Sequence, residues 1–376
     1  MNKIIYILVI SYLIYLVVES IFATRFRRNI KHVIHVNGTR GKSSVTRLIY
    51  AGLKAGGIRV FCKTTGTLPM IIDTAGKEAI IHRKGAANIK EQIKILKLAA
   101  KEKAEVLVIE CMAVDPELQY ISQNRIVKAD IGVITNVRLD HLDVMGETLD
   151  EIGNSLCNTI PKNGICFTAD KNFFPLLKDR CEKLNCIPRL VLPKGNEPGF
   201  DFEENISIAI EVCKQLGVDE NIALGGMIKY QRDPYATDIY ELENGAIFIG
   251  GFSINDPMSI KIVYNRVITK LQKTDYRLIL LITNRLDRGY RTNQHKELAL
   301  ELMPDKIWIM GGNRRVMARD LIKKLPSASI NVFNSVEDLP LNSLKKDEIV
   351  FAFGNIADLG MDIMDRVKKE GVLYVV

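Results

Sequence analysis

The sequence predicts an α/β protein: a parallel-sheet domain that opens on a glycine-rich loop, a smaller Rossmann-like α/β domain after it, and one transmembrane helix in front. Three observations predict this. Short apolar runs alternate with amphipathic ones, as strands and helices do where a parallel sheet is covered on both faces. One apolar run ends in a glycine turn followed by Gly-Lys-Ser at 41–43. Residues 4–23 are almost continuous Ile, Leu, Val and Tyr.

That first run is interrupted only by Ser11, Glu19 and Ser20. As a helix rising about 1.5 Å per residue it spans roughly the hydrocarbon thickness of a bilayer. Glu19 lies near its end, where a charge costs least. A cleaved signal peptide would carry its basic residues before a shorter apolar core, whereas here Lys3 stands alone in front. A buried core helix would show a polar face, which this run lacks. Arg25, Arg27, Arg28 and Lys31 follow it, so the positive-inside rule places the next domain in the cytoplasm. Residues 1–30 are expected to be a single-pass anchor in the cell membrane with a basic flank, and the catalytic domains are expected to be cytoplasmic.

His32–Asn37 reads as a short strand ending in the glycine turn, and Lys42–Ala55 has helical spacing (Val45, Leu48, Ile49, Leu53) closed by Gly56 and Gly57. A second strand is expected at 58–62, an amphipathic helix at 89–102 and a buried strand at Val106–Glu110. Another strand at 130–136 and helices at 149–159 and 205–215 follow. Gly225-Gly226 and Arg232-Asp233-Pro234 punctuate the chain before βαβ patterning resumes at 246–249, 258–271, 277–282, 306–310 and 349–353. The expected domains are therefore 31–235, which carries the glycine turn, and 236–376.

Composition agrees with a folded enzyme-sized chain: 376 residues, 47% hydrophobic and 26% charged, enough for two or three domains. The net charge of +8 is half accounted for by the four basic residues at 25–31. The remainder suits an anionic substrate or nucleotide, and no nucleic acid partner is expected. Seven cysteines, an odd number with no C-x-x-C pair, argue against a disulfide framework.

The strongest chemical signal is Val-Ile-His-Val-Asn-Gly-Thr-Arg-Gly-Lys-Ser-Ser at 33–44. Backbone N–H groups and the helix dipole at such a helix start make a polyanion site. Gly41 lets the main chain approach phosphate, Lys42 would reach the terminal phosphates, and the Ser43 hydroxyl would hold Mg2+. The common P-loop has a glycine where Val36 stands; here it is Gly38, a shorter G-x-x-G-K-S variant. Directly after a predicted strand comes Thr-Asn-Val-Arg-Leu-Asp-His-Leu-Asp at 135–143. Ligands bind at the carboxyl ends of parallel strands, and Asp140, His141 and Asp143 could ligate a divalent ion there. The same segment also reads as a solvated helix start with a capping aspartate. Glu110, ending a Val-Leu-Val-Ile run, is equally a metal ligand or a capping residue.

Taken together, these motifs resemble those of the Mur ligase superfamily, ATP-dependent enzymes that phosphorylate a carboxylate and pass the acyl group to an amine. Residues 38–43 are similar to its G-T-x-G-K-[ST] loop, Glu110 to its strand-end glutamate, and 136–143 to its N-x-x-x-D-H-x-D segment, whose histidine helps bind Mg2+. Ser-Ile-Asn-Asp-Pro at 253–257 looks like its A-H-N-P stretch, and 285–288 stands where it carries a nucleotide-contacting loop. The likeness covers most of residues 32–360. Segments 85–89, 284–292 and 353–357 resemble a narrower branch, the membrane-associated catalytic subunits of poly-γ-glutamate synthases. In that branch the anchor is expected to lead straight into the ATPase domain, with no amino-terminal UDP-sugar domain. Two departures stand out. Residues 149–157 hold no lysine to be carbamylated as a bridge to a second metal, which leaves Asp140 or Glu110 as candidates for that ion. Phe252 also stands near the place of the family's aspartate before A-H-N-P.

The resemblance implies the cofactors ATP and Mg2+ and the following site. Lys42, Glu110 and His141 would be catalytic, with Ser43, Glu110 and His141 around the metal. Gly38, Thr39, Arg40, Gly41, Lys42, Ser43, Ser44, Asn255, Arg285, Asp287 and Arg288 would bind ATP, with Arg288 or Arg285 closing onto the nucleotide through a hinge. The implied reaction joins a γ-carboxylate to a glutamate amine, building poly-γ-glutamate at the membrane. Implied partners are glutamate, the growing polymer, a small multi-span membrane subunit and export components; a homo-oligomer is left open. Arg83, Lys84, Arg288, Arg291, Arg314 and Arg315 could line a basic path for the polymer, or be ordinary solvated charges. The rival readings are a folylpolyglutamate-type ligase of small molecules and a membrane-tethered P-loop NTPase that makes no bond.

Overall fold

The computed structural model describes residues 2–66, 68–83, 85–195, 201–233, 236–252, 254, 256–286, 289–356 and 359–374. The chain divides into two compact units, 1–233 and 234–376.

The first unit runs α1 (Asn2–Arg28), β1 (His32–Asn37), α2 (Lys42–Ala55), β2 (Val60–Thr64), β3 (Met70–Ile72), β4 (Glu78–Ile80), α3 (Glu91–Lys101) and β5 (Val106–Glu110). It continues through α4 (Pro116–Ile121), β6 (Ile131–Ile134), α5 (Leu142–Met145), α6 (Leu149–Leu156), β7 (Ile165–Thr168), α7 (Phe174–Lys183), β8 (Ile187–Leu190), α8 (Glu203–Gln215) and α9 (Glu220–Ile228). Its strands join in the order β4-β3-β2-β5-β1-β6-β7-β8. From β2 to β8 every pairing is parallel, and β3 and β4 add an antiparallel edge.

The strand patterns explain the layering. β1, β2, β5 and β6 are buried along nearly their whole length, as strands covered on both faces must be. On one face the stripe Val45, Leu48, Ile49 and Leu53 of α2 packs with Ile206, Ile210 and Val212 of α8 and Met227 of α9. On the other, Ile95, Leu96 and Ala99 of α3 meet Val33, Phe61, Leu107 and Ile30. α4 runs on into a π-helical turn at Ser122–Val127, which carries Gln123 beneath β1.

Two details depart from the sequence reading. The second strand starts two residues later than expected, because the turn after α2 takes up Ile58, whose N–H closes the helix by donating to the Leu53 carbonyl at 3.2 Å. The β3–β4 hairpin was not anticipated: three residues per strand are too few to show a period.

The second unit comprises β9 (Asp238–Leu242), β10 (Ile247–Gly251), α10 (Pro257–Leu271), β11 (Arg277–Asn284), α11 (Gly289–Leu302), β12 (Lys306–Gly311), α12 (Arg314–Lys324), β13 (Ser329–Val332), β14 (Glu348–Gly354), α13 (Leu359–Glu370) and β15 (Gly371–Leu373). Its sheet order is β13-β12-β11-β14-β10-β9-β15. The strands from β13 to β10 are parallel and β9 and β15 antiparallel, around a core that includes Phe248, Phe252, Trp308 and Met310. α1 is long and apolar enough to cross a membrane.

Candidate active site

The loop between β1 and α2 is built from the glycines outward. Gly38 has φ 130° and Gly41 φ 80°, angles that side-chain-bearing residues rarely adopt. A Cβ on Gly38 would lie 2.0 Å from Thr135 Oγ1, and one on Gly41 2.8 Å from Asn205 Oδ1. Gly41 is the N-cap of α2. The first bond within that helix runs from Val45 N to Gly41 O at 2.9 Å, so the amides of its opening turn are left to other acceptors, as at any helix start.

Residues just after β6 hold the loop from the side. Thr39 N donates to Asn136 O at 3.0 Å and Arg40 N to Asn136 Oδ1 at 3.1 Å. The Arg40 carbonyl accepts from Thr135 Oγ1 at 2.5 Å and Asn136 Nδ2 at 3.1 Å. Arg138 N donates to Thr39 Oγ1 at 3.0 Å. The loop is thus fixed at both peptide groups of Arg40 before any ligand arrives.

Lys42 Nζ donates to the carbonyls of Gly38 and Thr39, at 2.7 and 3.2 Å. Burial inside the loop pushes its ammonium below the ordinary lysine range, and the Glu110 carboxylate opposes that shift. Ser43 Oγ donates to Glu110 Oε2 at 2.9 Å, and Thr65 N donates to the same oxygen at 2.7 Å. Glu110 is buried at the carboxyl end of β5, which its parallel neighbour β1 aligns with the loop.

His141 has φ 51° and caps α5 from the left-handed region. Its Nε2 lies 3.8 Å from Asp140 Oδ2. Asp140 is buried and forms an ion pair with Arg40 at 2.9 Å, and Asp143 is exposed in the first turn of α5. Among the described residues no three His, Cys, Asp or Glu side chains gather to hold a metal ion. What the structure brings together is a hydroxyl and a carboxylate, Ser43 and Glu110, at the foot of the loop. An oxygen pair of this kind suits Mg2+, which keeps several waters and takes few protein ligands.

On the opposite face of the sheet lies a second polar group. Lys63, fully buried, pairs with Glu91 at 3.1 Å, and Arg83 grips the same carboxylate at 2.7 and 3.0 Å. His35 Nδ1 is bonded to Gln123 Oε1 at 2.8 Å. Burial holds this imidazole neutral, with its pKa lowered to about 4.

Residues 36–191 match the Mur ligase middle domain, and residues 239–370 the poly-gamma-glutamate synthase CapB C-terminal domain. The capsule biosynthesis protein CapB of Bacillus anthracis is 32% identical over 359 residues, covering 90% of this chain and 77% of that protein. The PGA synthase CapB of Bacillus subtilis (strain 168) is 30% identical over 398 residues, covering 99% of this chain and all of that one. The chain belongs to the poly-gamma-glutamate synthase CapB family. Its fold is shared with the bifunctional folylpolyglutamate synthase/dihydrofolate synthase of Yersinia pestis, solved with AMPPNP and a Mn ion: TM-score 0.68 at 15% identity, covering 93% of this chain and 92% of that one.

Within this CapB-family chain the first unit assembles Gly38, Thr39, Arg40, Gly41, Lys42, Ser43, Ser44 and Glu110 around one loop. Arg285 follows β11 in the second unit; Asn255, Asp287 and Arg288 lie outside the described residues, as does Lys84. Of the suggested basic path, Arg291 is buried beside His295 in α11 and Arg314 donates to Gly311 O and Asn334 Oδ1, so neither is a freely solvated charge. The sequence reading overlooked Thr65, Thr135 and Asn205, which shape the loop. Thr135 alone had a signal, since it stands where a buried strand runs out.

Proposed function

We propose that this chain is an ATP-dependent amide ligase that activates a γ-carboxylate as an acyl phosphate and joins it to the amine of glutamate, building poly-γ-glutamate at a membrane. Support comes from full-length similarity to a relative named PGA synthase. The single observation that carries the reading is the constellation of Lys42 at the loop mouth with Ser43 and Glu110 paired at its foot.

Two bonds form in sequence, each as another breaks. A carboxylate oxygen takes the γ-phosphoryl group as the bond to ADP breaks; then the amine nitrogen attacks the acyl carbon, phosphate leaves, and the nitrogen gives up a proton. Phosphoryl transfer needs positioning and cationic clamping more than covalent help. The amides of the first turn of α2 face the β- and γ-phosphates, and Lys42 exchanges its two carbonyl partners for phosphate oxygens. That exchange is favoured because the ammonium is already short of water. Arg40, tied to Asp140, keeps the loop in register. Ser43 and Glu110 would hold Mg2+, with His141 as a further ligand. Bound Mg2+ supplies neutralisation of the charge on the phosphates. α1 is the anchor, with the catalytic domains on the cytoplasmic side.

The test incubates membranes carrying the full chain with ATP, Mg2+ and single amino acids. Glutamate-stimulated phosphate release with product that lengthens over time is expected. Release indifferent to amino acids would favour a plain NTPase, and a product of fixed length a small-molecule ligase. Substituting His141→Ala should raise the Mg2+ concentration needed; an unchanged requirement removes His141 from the metal shell.

A further inference from the structure

We infer that the catalytic edge of the first unit faces the bilayer, and that residues 85–90, between β4 and α3, rest on the lipid headgroup surface. The inference uses the reading of α1 as a membrane span and goes beyond it, because an anchor alone leaves the domain free to present any face.

Direction is set by the packing of α1. At its carboxyl end Arg27 pairs with Asp130 at 2.6 Å and donates to Lys128 O and Ile30 O. Asp130 accepts from Val33 N at 2.9 Å, so this end lies at the amino edge of the sheet, where β1 and β6 begin. About two turns earlier, Glu19 pairs with Lys90 at 2.9 Å, and Lys90 sits 5.3 Å over the Tyr15 ring. Lys90 precedes α3, whose next residue, Glu91, pairs with Lys63 near the carboxyl end of β2. α1 therefore climbs alongside α3 from the amino edge to the carboxyl edge. Residues 4–18, almost all exposed, project beyond it by roughly 22 Å at 1.5 Å per residue. The carboxyl edge is also where Gly38–Ser43 and Glu110 lie.

Depth follows from the same contact. Only residues 4–18 of α1 stand clear of the domain, roughly 22 Å against a hydrocarbon core of about 30 Å, so the bilayer takes up that whole length and the edge that meets Glu19 is held against it. The interfacial layer of a bilayer is roughly 5–8 Å thick on each side. A loop that reaches Glu19 thus stands among the headgroups. Its chemistry fits that place: His82 is exposed, the Lys90 charge is answered by Glu19, Gly85, Ala86, Ala87 and Asn88 are small and exposed, and tyrosines at 12 and 15 stack on the span where aromatic residues collect at interfaces. Small polar side chains suit the headgroup layer, and polymer made at the loop would leave against the membrane.

The test reads depth in the full chain, purified and reconstituted into vesicles of phosphatidylcholine with phosphatidylglycerol. All seven cysteines are buried, so a fluorophore can be placed on Ala87→Cys, on Lys101→Cys at the far end of α3, and on Val9→Cys within α1. Spin-labelled headgroups should quench the probe at 87 at least threefold more than that at 101. Equal quenching at 87 and 101, with Val9 quenched by acyl-chain labels, overturns the orientation and leaves the span intact. If acyl-chain labels fail to reach Val9, both the span and the orientation fall. No other protein is present, so quenching at 87 reports lipid and not a partner subunit.

Discussion

Replacing Lys42 by methionine separates a lysine placed for a ligand from one placed for stability. In the fold its ammonium has two hydrogen bonds to loop carbonyls, at 2.7 and 3.2 Å. Charged hydrogen bonds contribute about 1.5–3 kcal/mol each, and withdrawing an ammonium from water costs several kcal/mol. The terms nearly offset, so Lys42→Met should change stability by no more than about 1 kcal/mol, a few degrees in Tm for a unit of this size. Its pKa adds a signed prediction. Because the folded value lies below the unfolded one, the charged form burdens the folded state at neutral pH, and that burden disappears as pH rises toward the unfolded value. Wild type should therefore gain on Lys42→Met in stability between neutral pH and about 10. Activity behaves differently: losing one preorganised donor from a developing phosphoryl charge costs about 3–4 kcal/mol, or 100- to 1000-fold. Glutamate-dependent phosphate release and thermal unfolding across pH are the assays. Activity within threefold of wild type refutes the role of the loop; a Tm drop beyond about 8 °C refutes the claim that this charge is held at a cost.

Gly38→Ala should abolish nucleotide binding and cost about 2–3 kcal/mol, and Thr135→Ala should not rescue it, because the Thr135 backbone nitrogen would still stand 2.8 Å from the new Cβ; isothermal titration with an ATP analogue checks both. Glu110→Gln keeps the shape that bonds Ser43 and Thr65 but not the charge, so half-maximal Mg2+ should rise at least tenfold in an activity titration. Arg47, buried in α2, pairs with Glu78 at 2.6 Å and donates to Gln231 O; Arg47→Ala should lose about 3 kcal/mol in denaturant unfolding, since it strands a carboxylate. His35, with a folded pKa of about 4 against about 6.5 unfolded, contributes stability that is present above pH 6.5 and lost as pH falls toward 4, by up to about 1.4 kcal/mol per pH unit. His35→Gln should flatten that slope in acid unfolding curves.

The catalytic loop was legible in the sequence because its determinants are local. A strand, two glycines, a lysine and a helix start lie within a dozen residues, and backbone angles there depend on immediate neighbours. The same holds for the apolar run of α1 and for the buried run of β5, whose unbroken Val-Leu-Val-Ile announces a strand covered on both faces. Poorly legible were the elements too short to show a period, such as β3 and β4, and the supporting contacts made by Thr65, Thr135 and Asn205. Those contacts bring together residues up to about 160 positions apart, through strand order and register that no local pattern encodes.

By itself, then, the sequence determined that a phosphate-type loop precedes a helix, that an acidic residue ends a buried strand, and that an apolar helix long enough to cross a membrane stands in front. Only the tertiary structure decided which of these meet. Parallel pairing of β1 with β5 sets Glu110 against Ser43, and the turn after β6 ties Arg40 to Asp140. The descent of α1 beside α3 sends the span out past the same edge as the loop. Each is a long-range juxtaposition, chosen by how the strands register and how the helices bury their apolar faces, and each determines what the loop can reach.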